Sequence, residues 1–233
     1  MNVEDRSPLA IRDAASVLVL RRQGGTASVL MGMRGAAAAF MPSKFVFPGG
    51  AIDPGDTGAA LARPLRRTCH QRLMAEPRAD MPVDPDAIAA AALRELAEET
   101  GLLVGRKDGP PCEWPGYHEE GLSPDAGALT YLFRAITPPG RPRRFDAHFF
   151  VLDACDISGD PDDFGRACDE LSHLHWVPLS EARDLDLPFI TEVVLAELQQ
   201  LVAGLEPEEP LPAPATVPFF DNRGPAPRFC QIA

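Results

Sequence analysis

The sequence has no apolar run near the ~20 residues that cross a bilayer. It has no C-x-x-C pair and no internal repeat. The first absence argues against a membrane-spanning helix. The five cysteines, Cys69, Cys112, Cys155, Cys168 and Cys230, are scattered and odd in number. That pattern argues against a zinc ribbon or a disulfide framework and for a reducing, cytoplasmic setting. Positive charge is also short, with 22 Lys and Arg against 34 Asp and Glu, a formal charge of −12. Such a field disfavours nucleic acid and acidic lipid as broad partners. An anionic substrate would need a cation and local arginines to approach. The polar, mixed-charge start of the chain reads as neither a signal peptide nor a transit peptide. What is present is an ordinary globular composition, 45% hydrophobic. A length of 233 residues suits one sizeable domain with elaborations, or at most two small ones.

The chain is organised around Arg94-Glu95-Leu96-Ala97-Glu98-Glu99-Thr100-Gly101-Leu102. This stretch ends an Ala-rich run of high helix propensity with no internal Pro or Gly, and Gly101 is a helix stop. On a helix, Glu95, Glu98 and Glu99 stand at i, i+3 and i+4 and crowd one face. Three carboxylates so placed repel one another, and a cation resolves the conflict. Oxygen-only ligands suit Mg²⁺ or Mn²⁺. Taken alone, a solvated acidic helix face reads equally well.

Upstream lies Phe47-Pro48-Gly49-Gly50-Ala51-Ile52-Asp53-Pro54-Gly55-Asp56. With this stretch the chain resembles the Nudix hydrolase family, whose signature is G-x5-E-x7-R-E-U-x-E-E-x-G-U, U being aliphatic. Arg94 to Leu102 matches every defined position of the second half. Gly50 and Asp56 match the first half, with Asp for the usual Glu. Between Asp56 and Arg94 stand 37 residues where the family has seven, so a long insertion splits the box. A split of this kind, with the Phe40-Met41-Pro42 lead-in, resembles the branch that contains coenzyme A diphosphatases.

The resemblance implies an α/β Nudix fold, an α/β/α sandwich with a mixed β-sheet and a helical insertion inside the Nudix box. The domain is expected over residues 1–203, with 57–85 as the insertion and 204–233 as a Pro-rich tail. That tail can drape over the body or over a partner subunit, which leaves a homodimer open. Strands are expected at 14–21, 27–34, 45–47, 128–136, 144–153 and 170–177. Residues 105–127 read as a long loop with Trp114, Tyr117 and His118, in which an aromatic pins the loop to the body or stacks on a base. Ser180 is expected to cap a helix, and 189–201 reads as an amphipathic helix. The insertion arginines (Arg63, Arg66, Arg67, Arg72 and Arg78) read as a solvated surface that offsets acidic neighbours, with phosphate contact through their planar forks as the alternative.

The resemblance also implies roles. Glu95, Glu98 and Glu99, with the Gly50 carbonyl, would hold Mg²⁺ or Mn²⁺, and Arg94 would orient a glutamate from beside the metal face. Asp56 could hold Arg94 or approach the metal. The general base stays open among a helix glutamate, Glu119, Glu120, Glu170 and the histidines His118, His148, His173 and His175. His148 shares a strand face with Phe150 and points into the cleft or to solvent. Arg34 matches part of the upstream coenzyme A pattern, while Ala39 and Ser43 depart from it, and Arg144 begins a strand where it could grip a further phosphate. The implied activity is metal-dependent pyrophosphate hydrolysis in a nucleoside diphosphate linked to another moiety, coenzyme A or acyl-CoA among the substrates. ADP-ribose or a sugar nucleotide is the first alternative, and a nucleotide sensor without catalysis the second.

Overall fold

The computed structural model describes residues 10–35, 42–78, 82–224 and 226–233. Ala39 and the Phe40-Met41 part of the lead-in lie outside the described residues. Strand β1 (Ile11–Gln23) is the spine. Its Val17 and Val19 enter one core while Leu18 and Leu20 enter another. The run is almost continuously apolar because both faces of the strand are covered. Strand β2 (Thr26–Arg34) returns antiparallel through the Gly24-Gly25 turn. Two short strands follow, β3 (Phe45–Val46) on β2 and β4 (Gly49–Ala51) on β1, with Gly50 opposite Ala15.

The insertion carries helix α1 (Arg67–Leu73) and leads into helix α2 (Pro85–Thr100). Asp84 caps α2, its side chain accepting the Ala87 N–H at 3.1 Å, and Pro85 sits in the first turn, where no N–H is needed. Gly101 ends it with φ of 77°, a conformation that favours glycine. Ala89 to Ala92 are fully buried, so the helix presses directly onto the sheet.

Beyond α2 come β5 (Gly105–Arg106), the short helix α3 (Tyr117–Glu120) and β6 (Ser123–Pro124). Strands β7 (Thr130–Ile136), β8 (Arg144–Asp153) and β9 (Leu171–Pro178), then helix α4 (Phe189–Val202), complete the body. Strand β8 lies parallel to β1, and β9 pairs with β2. Helix α2 covers one face and α4 the other. The α/β/α sandwich with a mixed sheet is therefore as expected.

Four expectations need correction. The proline-rich C-terminal segment is not merely draped. It supplies β10 (Val217–Asp221) and β11 (Arg228–Ile232), and β10 pairs parallel with β7, giving a nine-stranded sheet in the order β11-β10-β7-β8-β1-β2-β3 with β4 and β9 beside it. Phe219 is fully buried there, and burial overrides the local preference of a proline-rich sequence. Ser180 caps no helix: a single 3-10 turn spans Ala182–Asp184, without a side-chain cap. Pro188 keeps Leu187 out of the helical region, so the helix starts only at Phe189. The 105–127 stretch is not bare loop, although aromatics do pin it to the body: Trp114 packs against the main core, and the buried Tyr117 hydroxyl bonds the Val104 backbone.

Of the insertion arginines, only the exposed Arg67 keeps to a solvated surface; the other four are bonded to protein, Arg72 and Arg78 from buried positions. Arg63 forks onto Asp125, and Arg66 bonds the Gly127 carbonyl. Buried Arg72 donates to the carbonyls of Pro214 and Ala215, at 2.8 and 2.7 Å. Buried Arg78 reaches Asp13 and Asp146. These four tie the insertion to the sheet and to the C-terminal segment.

Candidate active site

Helix α2 is laid against the Pro48-Gly49-Gly50 turn, and this contact builds the site. Glu99, only 2% exposed, accepts the Gly49 N–H at 2.7 Å. Glu95 presses on Gly50: a Cβ built there would lie 2.3 Å from the Glu95 Oε1. At Gly49 a Cβ would lie 2.3 Å from the Ala15 carbonyl oxygen. Both positions therefore require glycine for close approach. Glu98 is half-exposed at the mouth, and its backbone carbonyl accepts the Cys168 N–H at 2.8 Å.

Arg94 lies among the carboxylates rather than off their face. Its fork is bidentate on Asp56, Nε to Oδ1 at 2.8 Å and Nη2 to Oδ2 at 2.9 Å. Nη1 reaches Glu95 at 2.9 Å and Glu98 at 3.1 Å, and Nη2 also touches the Ala51 carbonyl. Asp56, 1% exposed, thus takes the first of its two expected roles and holds Arg94. Its shorter side chain suffices because a 3-10 turn at Pro54–Asp56 brings it inward, where Oδ2 also accepts the Asp53 N–H. Hydrogen bonding to Asp56 holds the Arg94 guanidinium above its ordinary pKa.

The electrostatics of the glutamates call for a cation. Burial pushes the Glu99 carboxyl up to about 8, against the partial relief of the Gly49 N–H, with the charges of Glu95 and Glu170 adding to the rise. Glu95 is raised too, mostly by burial and in part by Glu98 and Glu170, against the pull of Arg94. A buried carboxyl pushed this high holds a proton where a metal could stand, and the donors are all oxygen. The residues present fit a hard divalent ion.

Glu170 and Arg34 join this cluster. Arg34 ends β2, Glu170 immediately precedes β9, and the two side chains form an ion pair. Arg144 is placed elsewhere: its Nε and Nη2 donate to the carbonyls of Thr137 and Asn222, which ties down the C-terminal segment. Glu119 caps α3 on Gly116, and Glu120 pairs with Arg166. His118, His173 and His175 are exposed. His148 points neither to the cleft nor to solvent. It is fully buried against Tyr131, with Nδ1 2.8 Å from the phenolic oxygen.

A second acidic group needs separating from this site. Ligand-type atoms of Asp13, Asp146 and His148 lie within 4.8 Å of one another. Arg134 forks onto both oxygens of Asp146, and Arg78 reaches Asp146 and Asp13. Two aspartates facing two arginines are already neutralised, so this group has less need of a cation than the glutamates of α2.

No protein-family model matches the chain. The crystal structure of a Nudix hydrolase from Alicyclobacillus acidocaldarius is similar over 82% of this chain and 91% of its own, at 28% identity and a TM-score of 0.59. The chain has the fold of the Nudix hydrolases. A curated Caenorhabditis elegans protein, "Putative nudix hydrolase 7", is 27% identical over 74% of this chain and 53% of its own length. The chain thus spans about half of that relative. A crystal structure of a C. elegans Ap4A hydrolase binary complex is similar over 84% of this chain at 17% identity, with a TM-score of 0.47.

Gly50, Asp56, Arg94, Glu95, Glu98 and Glu99 converge in space across the 37 residues that separate Asp56 from Arg94. Sequence reasoning missed the Gly49 N–H and the Ala51 carbonyl. Backbone groups leave no residue signature beyond the doubled glycine.

Proposed function

We propose that this Nudix protein hydrolyses a phosphoanhydride in a nucleoside diphosphate linked to another moiety, with Mg²⁺ or Mn²⁺ as cofactor. The observation that carries the reading is the carboxylate face of α2 packed on the Gly49–Gly50 turn, with Arg94 held by Asp56. Glu95, Glu98, Glu99 and the Gly50 carbonyl would hold the cation. The ion would neutralise the diphosphate and lower the pKa of a bound water.

The chain's own residues do the rest. Arg94, fixed by Asp56, orients Glu95 and Glu98 through one Nη, a geometry that Lys could not reproduce. The Gly49 N–H fixes Glu99. Arg34 supplies positive charge for the substrate's phosphates, and Glu170, whose charge acts on Glu95 and Glu99, is a further carboxylate for accepting a proton. Coenzyme A or acyl-CoA is the first substrate to try, on the Phe47-Pro48-Gly49-Gly50 resemblance and Arg34, with ADP-ribose and sugar nucleotides next.

The test is product release from each compound with Mg²⁺ or Mn²⁺, beside a Glu98→Gln/Glu99→Gln double variant. Cleavage of coenzyme A to 3′,5′-ADP and 4′-phosphopantetheine, lost in the variant, supports the full reading. Cleavage of another compound keeps the chemistry and discards coenzyme A. Tight nucleotide binding with no turnover of any compound refutes the enzyme reading in favour of a sensor.

A further inference from the structure

Arg34, like Arg21, commits a single nitrogen to a protein acceptor. Arg94, Arg22, Arg72 and Arg134 each spend two or more nitrogens on protein acceptors. Arg34 places Nη2 on the Glu170 carboxylate, while its Nε is buried without a hydrogen-bond partner. A buried donor left unmade is costly; Arg21 and Arg72 also carry one, but Arg34 differs in standing where its charge acts on Glu99. A planar fork meets a phosphate well.

Glu170 is positioned to respond. Its side chain is half-exposed, and an ion pair so open to water is weak and readily exchanged. Its charge already acts on both Glu95 and Glu99. The loop that carries it is tied to the body at both ends. Ser158 donates to the Leu103 carbonyl at 2.7 Å, and Cys168 donates to the Glu98 carbonyl at 2.8 Å. Midway, Asp162 accepts from Trp176 Nε1 and from Arg21, whose guanidinium stacks 3.8 Å over the indole. With the backbone anchored, exchange at Glu170 needs only a side-chain rotation.

We infer that the Arg34–Glu170 ion pair is a latch: a substrate phosphate takes the Arg34 fork and releases the Glu170 carboxylate to the cluster of Glu95 and Glu99. The inference rests on the proposed function for its substrate class. It makes occupation of the anion subsite the event that completes the carboxylate set, so that the full negative field assembles only when a diphosphate is present. Arg34 and Glu170 are reciprocal competitors, and each should gain for its other partner when its rival is removed.

A double-mutant cycle on the full chain tests this, with wild type, Arg34→Gln, Glu170→Gln and the double variant. Mn²⁺ affinity is read by electron paramagnetic resonance without nucleotide. Affinity for a methylene-bridged nucleoside diphosphate is read by calorimetry in excess EDTA, and thermal melts confirm that each variant is folded. Since exposed ion pairs are worth at most about 1 kcal/mol, Arg34→Gln should tighten Mn²⁺ binding up to about fivefold. That gain should vanish when Glu170→Gln is also present. Glu170→Gln should tighten metal-free nucleotide binding by a similar factor, and only while Arg34 remains. Gains that persist in the double variant would reduce the pair to through-space charge, and the absence of both gains would make it purely structural; either overturns the latch. Both gains in a protein that cleaves no diphosphate compound would sink the proposed activity and leave the latch standing. Turnover without the gains would do the reverse.

Discussion

Replacing Glu99 by Gln should stabilise the metal-free protein, and increasingly so as the pH rises. Burial pushes the Glu99 carboxyl up to about 8 from an ordinary value of 4.5. The folded chain therefore keeps a proton that the unfolded chain has lost, and stability falls as pH rises from the lower value through the higher. Integrating one group of this kind gives a penalty of about 2 kcal/mol at pH 6 and about 5 kcal/mol at pH 9. Gln keeps the shape and a carbonyl oxygen for the Gly49 N–H, yet never ionises. Urea melts in EDTA at the two pH values should show wild type losing about 2–3 kcal/mol more than the variant between them. A cation bound to the ionised carboxylate should close the gap. At a hundred times its dissociation constant it adds about 2.7 kcal/mol to wild type, and less to the variant, which lacks one ligand. If both proteins show the same change between pH 6 and pH 9, Glu99 is not a buried proton holder and the argument for a cation at this position fails.

Gly50→Ala should abolish Mg²⁺-dependent turnover and weaken Mn²⁺ binding, since its Cβ would sit 2.3 Å from the Glu95 carboxylate; unchanged Mn²⁺ affinity by paramagnetic resonance would refute the close-approach argument. Asp56→Ala removes the buried acceptor of the Arg94 fork. It should cost about 3 kcal/mol in denaturant melts and lower kcat, because Arg94 would then be free to swing onto the carboxylates it now orients. A variant as stable and active as wild type would show that Asp56 is a bystander.

Much of this molecule was legible in the chain because the relevant forces are local. The spacing of Glu95, Glu98 and Glu99 and the stop at Gly101 concern neighbours on one helix, and the apolar run in β1 announces a strand. Pairings across long separations were not legible. Nothing in Asp56 says whether its carboxylate reaches Arg94 or a metal; that was decided by the 3-10 turn and by the glycine turn packing on α2. The insertion arginines read as solvated because charge on a proline-broken stretch usually is. Only the fold brought backbone carbonyls and aspartates to them. The C-terminal segment joined the sheet because β7 offered it an edge and a core for Phe219. The sequence by itself determined the helix with its carboxylates and the apolar strand beneath it. The tertiary structure decided which buried charge meets which partner, because a carboxylate's role depends on the groups within a few ångströms and those groups come from distant parts of the chain.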